Sequence, residues 1–400
     1  MAQSSAEQIR AWQGPAILSF GFRPFFFLGA LWAAVAMALW VPALCGAVVL
    51  PTHLDPVAWH AHAFLFGYLG AIVAGFVLTA VPNWTGRLPV VGWRLGALAL
   101  LWGAGRLAVL VSAYLPPALV VAVDLAFPLV LGAVLLREIV AGRNWRNLPV
   151  LALLAVFALA NGLFHWDAAR GLPAASGPGV RLGLAAGIAL IALIGGRVVP
   201  SFTRNWLARL GSGRLPVPPM RRFDKLAILA LLAALLAWVV APVSALSGVA
   251  LLLAGALHLA RQMRWAGDRT LREPLLLVLH GGYLFVPLGA LALGAEILRP
   301  GLFGIASAQH LWMGGAIGLM TLAMMTRATL GHTGQTLRAG PGTVVIYLAL
   351  VMAVVARLAA GAWSSEATVL YAVSGTAWII AFAGFAVLYG PLLLRRKLTE

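Results

Sequence analysis

The 400-residue chain is poor in charge. Only 10% of its residues are Asp, Glu, Lys or Arg, against roughly 25% in an ordinary soluble domain. A soluble protein of this length could not cover its surface with so few. Acidic residues are the scarcest, 11 in all. Asp124 is the only carboxylate well inside an apolar run. Proton relays usually run through chains of Asp, Glu or His, so a powerful proton pump is not expected. There is one cysteine, Cys45, which excludes a disulfide framework and a CxxC metal motif. Its apolar surroundings make it a packing residue. No cleavable signal peptide is expected, because the first apolar run, 25–50, is too long for one.

The rest of the chain is hydrophobic. Apolar residues make up 62% and the mean hydropathy is +0.96, which also excludes disorder. A membrane-crossing helix needs about 20 apolar residues. Pro, Gly and Arg punctuation places such spans at 25–50, 57–81, 94–113, 118–137, 149–167, 180–199, 225–241, 245–262, 274–297, 304–326, 342–360 and 367–393. The expected fold is an all-α polytopic membrane protein of about twelve transmembrane helices. It forms one integral membrane domain over 1–400, with a short N-terminal segment 1–24 and a loop 200–224. If the N-terminus is cytoplasmic, all but five of the 28 basic residues fall on that side; Arg106, Arg170, Arg181, Arg299 and Arg357 are the exceptions. That asymmetry predicts both termini in the cytoplasm. The excess of +17 is topology, and nucleic acid is not a partner.

Repetition is weak but present. Val81-Pro82-Asn83-Trp84-Thr85 ends span 2, Val199-Pro200-Ser201-Phe202-Thr203 ends span 6, and Met325-Thr326-Arg327 ends span 10. Four helices separate each pair, which suggests three four-helix units. Spans 3 and 4 join through Tyr114-Leu115-Pro116-Pro117. Arg106 and Asp124 lie at similar distances from that turn, roughly 13 Å along each helix. They are expected to pair at one depth. Neutralising a helix hairpin is the plain role for such a pair; moving protons or anions is the alternative.

Histidine is the commonest side-chain ligand of metals and haem. Asp55 and Pro56 mark the start of span 2. His60 and His62 then diverge by about 200° around the helix, so they face different neighbours. His62 and His310 each lie six residues into parallel spans, roughly 9 Å deep. Two imidazoles so placed can sandwich a haem, with small residues at Gly67, Gly70, Ala71, Ala74 and Gly75 and at Gly314, Gly315, Ala316 and Gly318 to admit the ring. His165 ends span 5 and could join His53 and His60 at copper, although interfacial solvation is the plainer reading of His53 and His165. His280 lies seven residues into span 9. His332 follows span 10 and, with Arg204 and Asn205, could form a polar mouth. His258 is expected at the interface, near Arg261.

Several strings resemble the NnrS family. They are Pro24-Phe25-Phe26-Phe27, Trp59-His60-Ala61-His62 with Leu65-Phe66-Gly67, and Ala80-Val81-Pro82-Asn83-Trp84-Thr85-Gly86. Gly196-Arg197-Val198-Val199-Pro200-Ser201-Phe202-Thr203-Arg204-Asn205 follows. Leu279-His280-Gly281-Gly282-Tyr283 and the run from His310 through Met325-Thr326-Arg327 to His332-Thr333-Gly334 complete the set. The resemblance covers spans 1 to 10. It implies a bacterial inner-membrane protein with haem and copper, linked to nitric oxide, denitrification and nitrosative stress, and a redox partner. It carries over Arg23, His60, His62, His280, His310, Arg327 and His332 as functional positions. Ala63 stands where many members are expected to carry Glu, so no carboxylate role transfers there. Twelve helices in three units also resemble the catalytic subunits of haem–copper oxidases, but span 6 has no His and no adjacent His pair supplies a copper site. A twelve-helix secondary transporter and a non-catalytic partner of copper or denitrification enzymes are the rival readings.

Overall fold

A computed structural model describes residue 7 and residues 11–87, 89–211 and 213–396. Of the N-terminal segment 1–24, residues 1–6 and 8–10 lie outside the described residues. Helix is the only regular structure among the described residues. Eleven helices among these residues are long and apolar enough to cross a membrane: α1 Phe22–Leu44, α2 Pro56–Thr85, α3 Trp93–Leu110, α4 Pro117–Ala141, α5 Leu148–Ala169, α6 Pro178–Arg209, α7 Arg222–Val240, α8 Ala245–Met263, α9 Pro274–Leu298, α11 Pro341–Ala362 and α12 Ala367–Leu394. The twelfth helical run, α10, consists of Ile305–His310, a π-helical segment Leu311–Leu319, and Met320–His332. Gln309, His310 and its glycines make it less apolar than the rest. The chain is a multi-pass membrane protein.

The expected spans correspond to these helices within a few residues at most ends. Two ends differ. α1 stops at Leu44, because Gly46 turns the chain at a φ of +73°. Cys45 is therefore exposed just beyond the helix, not packed inside it. α6 continues through Pro200 to Arg209, beyond the expected end at 199. The hydroxyls of Ser201 and Thr203 bond back to the carbonyls of Arg197 and Val199, at 2.6 and 2.9 Å. A helix carrying Pro needs such local repairs in apolar surroundings.

The chain divides into two compact units. One holds residues 1–183, 328–335 and 382–400; the other holds 184–327 and 336–381. In the first unit, Arg23 is buried and donates to the carbonyls of Leu392, Leu393 and Arg395, at 3.1, 2.9 and 3.0 Å. Its cation caps the carboxyl end of α12, where the helix dipole is negative. In the second unit, α8 and α9 meet through small residues. A Cβ on Gly294 would stand 2.7 Å from the Gly248 carbonyl oxygen. Close backbone approach of this kind replaces the hydrophobic effect as the source of helix association in lipid.

The start of α6 leans on α5 in the same way. A Cβ on Gly179 would collide with the backbone nitrogen of Phe164 and lie 2.8 Å from the Ala160 carbonyl oxygen. Backbone cannot yield as a side chain can. Gly179→Val should therefore destabilise the first unit by about 1–3 kcal/mol, read as a lower thermal midpoint in detergent. Gly171→Ala, at an open loop position of φ +66°, would cost less.

Candidate metal centre

The first unit encloses a polar cluster around Asp124, which is fully buried on α4. Arg106 of α3 donates through Nη2 to Asp124 Oδ1. The pair expected across the tight hairpin is present. The other carboxylate oxygen, Oδ2, faces three nitrogens. Nε2 of His62 and Nε2 of His165 each lie 2.9 Å away, and Nδ2 of Asn161 donates at 2.8 Å. His62 Nε2 also lies 3.1 Å from Asn161 Oδ1. All five side chains are buried. With neutral imidazoles, Arg106 balances Asp124, and the ionised carboxylate requires both Nε2 atoms to carry hydrogen.

Each residue is placed by a sequence feature. Asp55 accepts from the amides of Val57 and Ala58, at 2.9 and 3.0 Å, which fixes the start of α2. His62 then ends its first α-helical stretch, and Ala63–Leu69 runs as a π-helix. Indole N–H groups reach its backbone: Trp32 donates to the Ala63 carbonyl at 2.9 Å and Trp102 to that of Gly67 at 3.0 Å. Asn161 and His165 are four residues apart on α5, hence on one face. Gly67 and Gly105 leave room for the ion pair. A Cβ on Gly67 would stand 2.6 Å from Arg106 Nη1, and one on Gly105 2.9 Å from Asp124 Oδ1.

Two expectations change here. His165 is buried, not solvated at an interface, because Asp124 and Asn161 sit at its depth. It joins His62, with ring centroids 5.2 Å apart, whereas His60 turns the other way and stacks on Trp40 at 3.9 Å. The divergence of His60 and His62 is the one their spacing predicts. Asn161 was not anticipated. Its signal was the Asn-x-x-x-His spacing inside an apolar span.

The second unit holds His258, His280 and His310, while His53 lies exposed in the first. His310 Nδ1–H donates to the Ala306 carbonyl at 2.6 Å, which leaves Nε2 as the lone-pair nitrogen. Its neighbouring glycines are filled by packing: a Cβ on Gly315 would strike Phe285, and one on Gly318 would lie 3.1 Å from Trp378. His280 Nε2 lies 2.9 Å from the Thr203 hydroxyl. That hydroxyl spends its hydrogen on Val199, so it accepts from Nε2–H, and His280 Nδ1 is the lone-pair nitrogen. His258 is fully buried, not interfacial. It lies 3.0 Å from the Ala227 carbonyl and 2.9 Å from the Tyr283 hydroxyl. Arg261, counted among the cytoplasmic cations by sequence, is also fully buried. Asp224, the Ala192 carbonyl and Tyr283 receive its hydrogen bonds at 3.1, 3.1 and 2.8 Å.

The polar residues expected near a mouth belong to both units. His332, in the first unit, packs edge-on against Phe20 with centroids 5.3 Å apart. In the second unit, Arg327 lies over the Phe202 ring at 4.2 Å, while Arg204 and Asn205 are exposed.

A metal ion suits one of these arrangements. Ligand atoms of His62, Asp124 and His165 all lie within 4.8 Å of one another. Two imidazoles and a carboxylate suit copper, zinc or iron, and loading would require both Nε2 atoms to lose their hydrogens. Haem fits His62 less well. Its Nε2 is committed to Asp124, and Gly67 is committed to Arg106. The family model described as NnrS protein matches residues 16–397. The chain belongs to the NnrS family. No curated protein matches it. NnrS membership and the buried donor cluster both point to metal involvement at this membrane protein.

Removing the charge at Asp124 would strand Arg106 in an apolar interior. Breaking a buried pair from one side costs about 3–5 kcal/mol. Asp124→Asn should lower the thermal midpoint sharply. The double variant Arg106→Met with Asp124→Asn, which removes the stranded cation and keeps an amide oxygen for His62 and His165, should recover part of the loss.

Proposed function

We propose that this chain is a metal-bearing protein of the bacterial inner membrane that acts in nitric oxide metabolism or nitrosative stress, with both termini cytoplasmic. The observation that carries the reading is the buried His62–Asp124–His165 cluster in a chain of this family. Copper is the ion proposed there, held by the two Nε2 atoms and the Asp124 carboxylate. Bound copper would supply a one-electron centre able to take a small ligand. Arg106 would hold the carboxylate in place, and Asn161 would steer both His62 and the same carboxylate oxygen. Phe66 and Phe164, whose rings lie 5.4 and 5.0 Å from the His62 ring, would exclude bulk water.

Haem is proposed as the second cofactor, near the outer side, with His310 as its ligand. The Nδ1–H bond to a backbone carbonyl is the usual way a metal-binding imidazole is oriented. His60 and His280 are further ligand candidates for haem or metal. Arg327, Arg204 and His332 are proposed as functional positions on the cytoplasmic side. A redox partner would supply electrons, and nitric oxide or a related small molecule would be the ligand.

Metal analysis and the visible spectrum of the purified full chain test this. The protein should carry about one copper per chain and a Soret band. His165→Ala should cut copper affinity at least about ten-fold and leave the Soret band, whereas His310→Ala should remove the band and leave copper. Protein from copper- and haem-supplemented cells with neither metal would overturn the proposal.

A further inference from the structure

We propose that a groove between α3 and α4 is a binding site for one anionic phospholipid. The groove has a volume of about 1150 Å³. Ala97 and Leu101 of α3 form one wall, and Val130 and Val134 of α4 form the other. Its rim is basic, with Arg87, Arg94 and Arg137 against the single carboxylate of Glu138.

Charge and apolar surface are arranged along the groove as they are along a lipid. α3 and α4 run in opposite directions, so the start of one lies beside the end of the other. Arg94 and Leu101 are seven residues apart, as are Val130 and Arg137. Each separation spans roughly 10 Å of helix. The cations thus sit at one end, and the apolar slot extends from them by about the length of an acyl segment. A free phosphate has no use for such walls. A phospholipid uses both parts.

The rim is preset for a headgroup. Glu138 is buried. It accepts from Arg137 Nε and Nη2, at 2.9 and 2.7 Å, and also from Arg87 Nε. One negative charge therefore orders two cations and leaves an excess of one. Arg94 is exposed and makes no ion pair with any described residue, which raises the excess to two. Trp93 is 70% exposed and meets Trp12 edge-on, with centroids 6.0 Å apart. Exposed indoles beside arginines mark the headgroup level of a membrane, and basic pockets between spans at that level suit anionic headgroups.

The test uses the purified full chain in uncharged detergent. Native mass spectrometry counts retained phosphatidylglycerol, and the thermal midpoint is followed on adding phosphatidylglycerol or phosphatidylcholine at equal mole fraction. One retained phosphatidylglycerol and a midpoint shift specific to it are expected. Arg94→Gln should weaken that binding about five-fold. Arg137→Gln, in which Arg87 still holds Glu138, should do the same. Val130→Trp should weaken binding by narrowing the slot without changing charge. Equal effects of the two lipids, wild-type binding in Arg94→Gln and Val130→Trp, or equal stabilisation by glycerol phosphate would overturn the proposal. Arg94 pairs with no described residue, so its variant keeps the test informative if Arg137→Gln fails to fold.

Discussion

The buried charge of Asp124 is the constraint on which the first unit depends. A carboxylate inside an apolar span is costly, and it persists only when paired and fully hydrogen-bonded. Here one oxygen receives a guanidinium and the other faces two imidazoles and an amide. Four helices therefore converge on one side chain: α3 brings Arg106, α2 brings His62, and α5 brings both Asn161 and His165 to Asp124 on α4. Ordinary apolar packing in lipid would leave the rotation of each helix weakly specified. A polar knot specifies it, because turning any of these helices strands a buried polar group.

The π-helical segments belong to the same logic. A π-helix widens the backbone and disturbs the regular ladder, and such segments gather at functional sites. Both among the described residues begin immediately after a histidine, at Ala63 after His62 and at Leu311 after His310. In the first unit, Trp32 and Trp102 spend their indole N–H groups on Ala63 and Gly67. In the second, Trp312 donates to Val286 at 2.9 Å, while the Thr321 hydroxyl bonds the carbonyls of Ile317 and Gly318 at 2.6 and 3.0 Å. Each unit thus uses an aromatic or hydroxyl donor to stabilise an irregular backbone next to its histidine.

Much of the fold was legible because hydropathy acts over whole spans. The Arg106–Asp124 pair was legible because a Pro-Pro turn fixes the register of α3 against α4. The rest of the knot was not, since α5 reaches Asp124 through tertiary packing that no local spacing encodes. The glycines misled for a related reason. Small residues on a span show that something approaches closely, but not what. At Gly67 and Gly105 it is the ion pair, and at Gly315 it is the Phe285 ring. Arg261 misled too. Counting cations by side assumes that each sits at the surface, and this one is buried against Asp224 and Tyr283.

The geometry around Asp124 Oδ2 also separates folding from metal loading. In many small metal sites the unfolded ligands have no other partner, so metal binding and folding are one event. Here every charge is compensated by protein alone. Arg106 neutralises the carboxylate, and the two Nε2–H groups occupy the positions from which their lone pairs would ligate. A metal ion of the kind proposed would compete with two protons for those nitrogens and not with solvent for an unfolded chain. A unit balanced in this way would fold without metal, and loading of the proposed ion would require proton release from His62 and His165. The same hydrogen bonds that specify the helix packing also hold the ligand atoms within reach of one another, so stability and metal affinity draw on a single set of side chains.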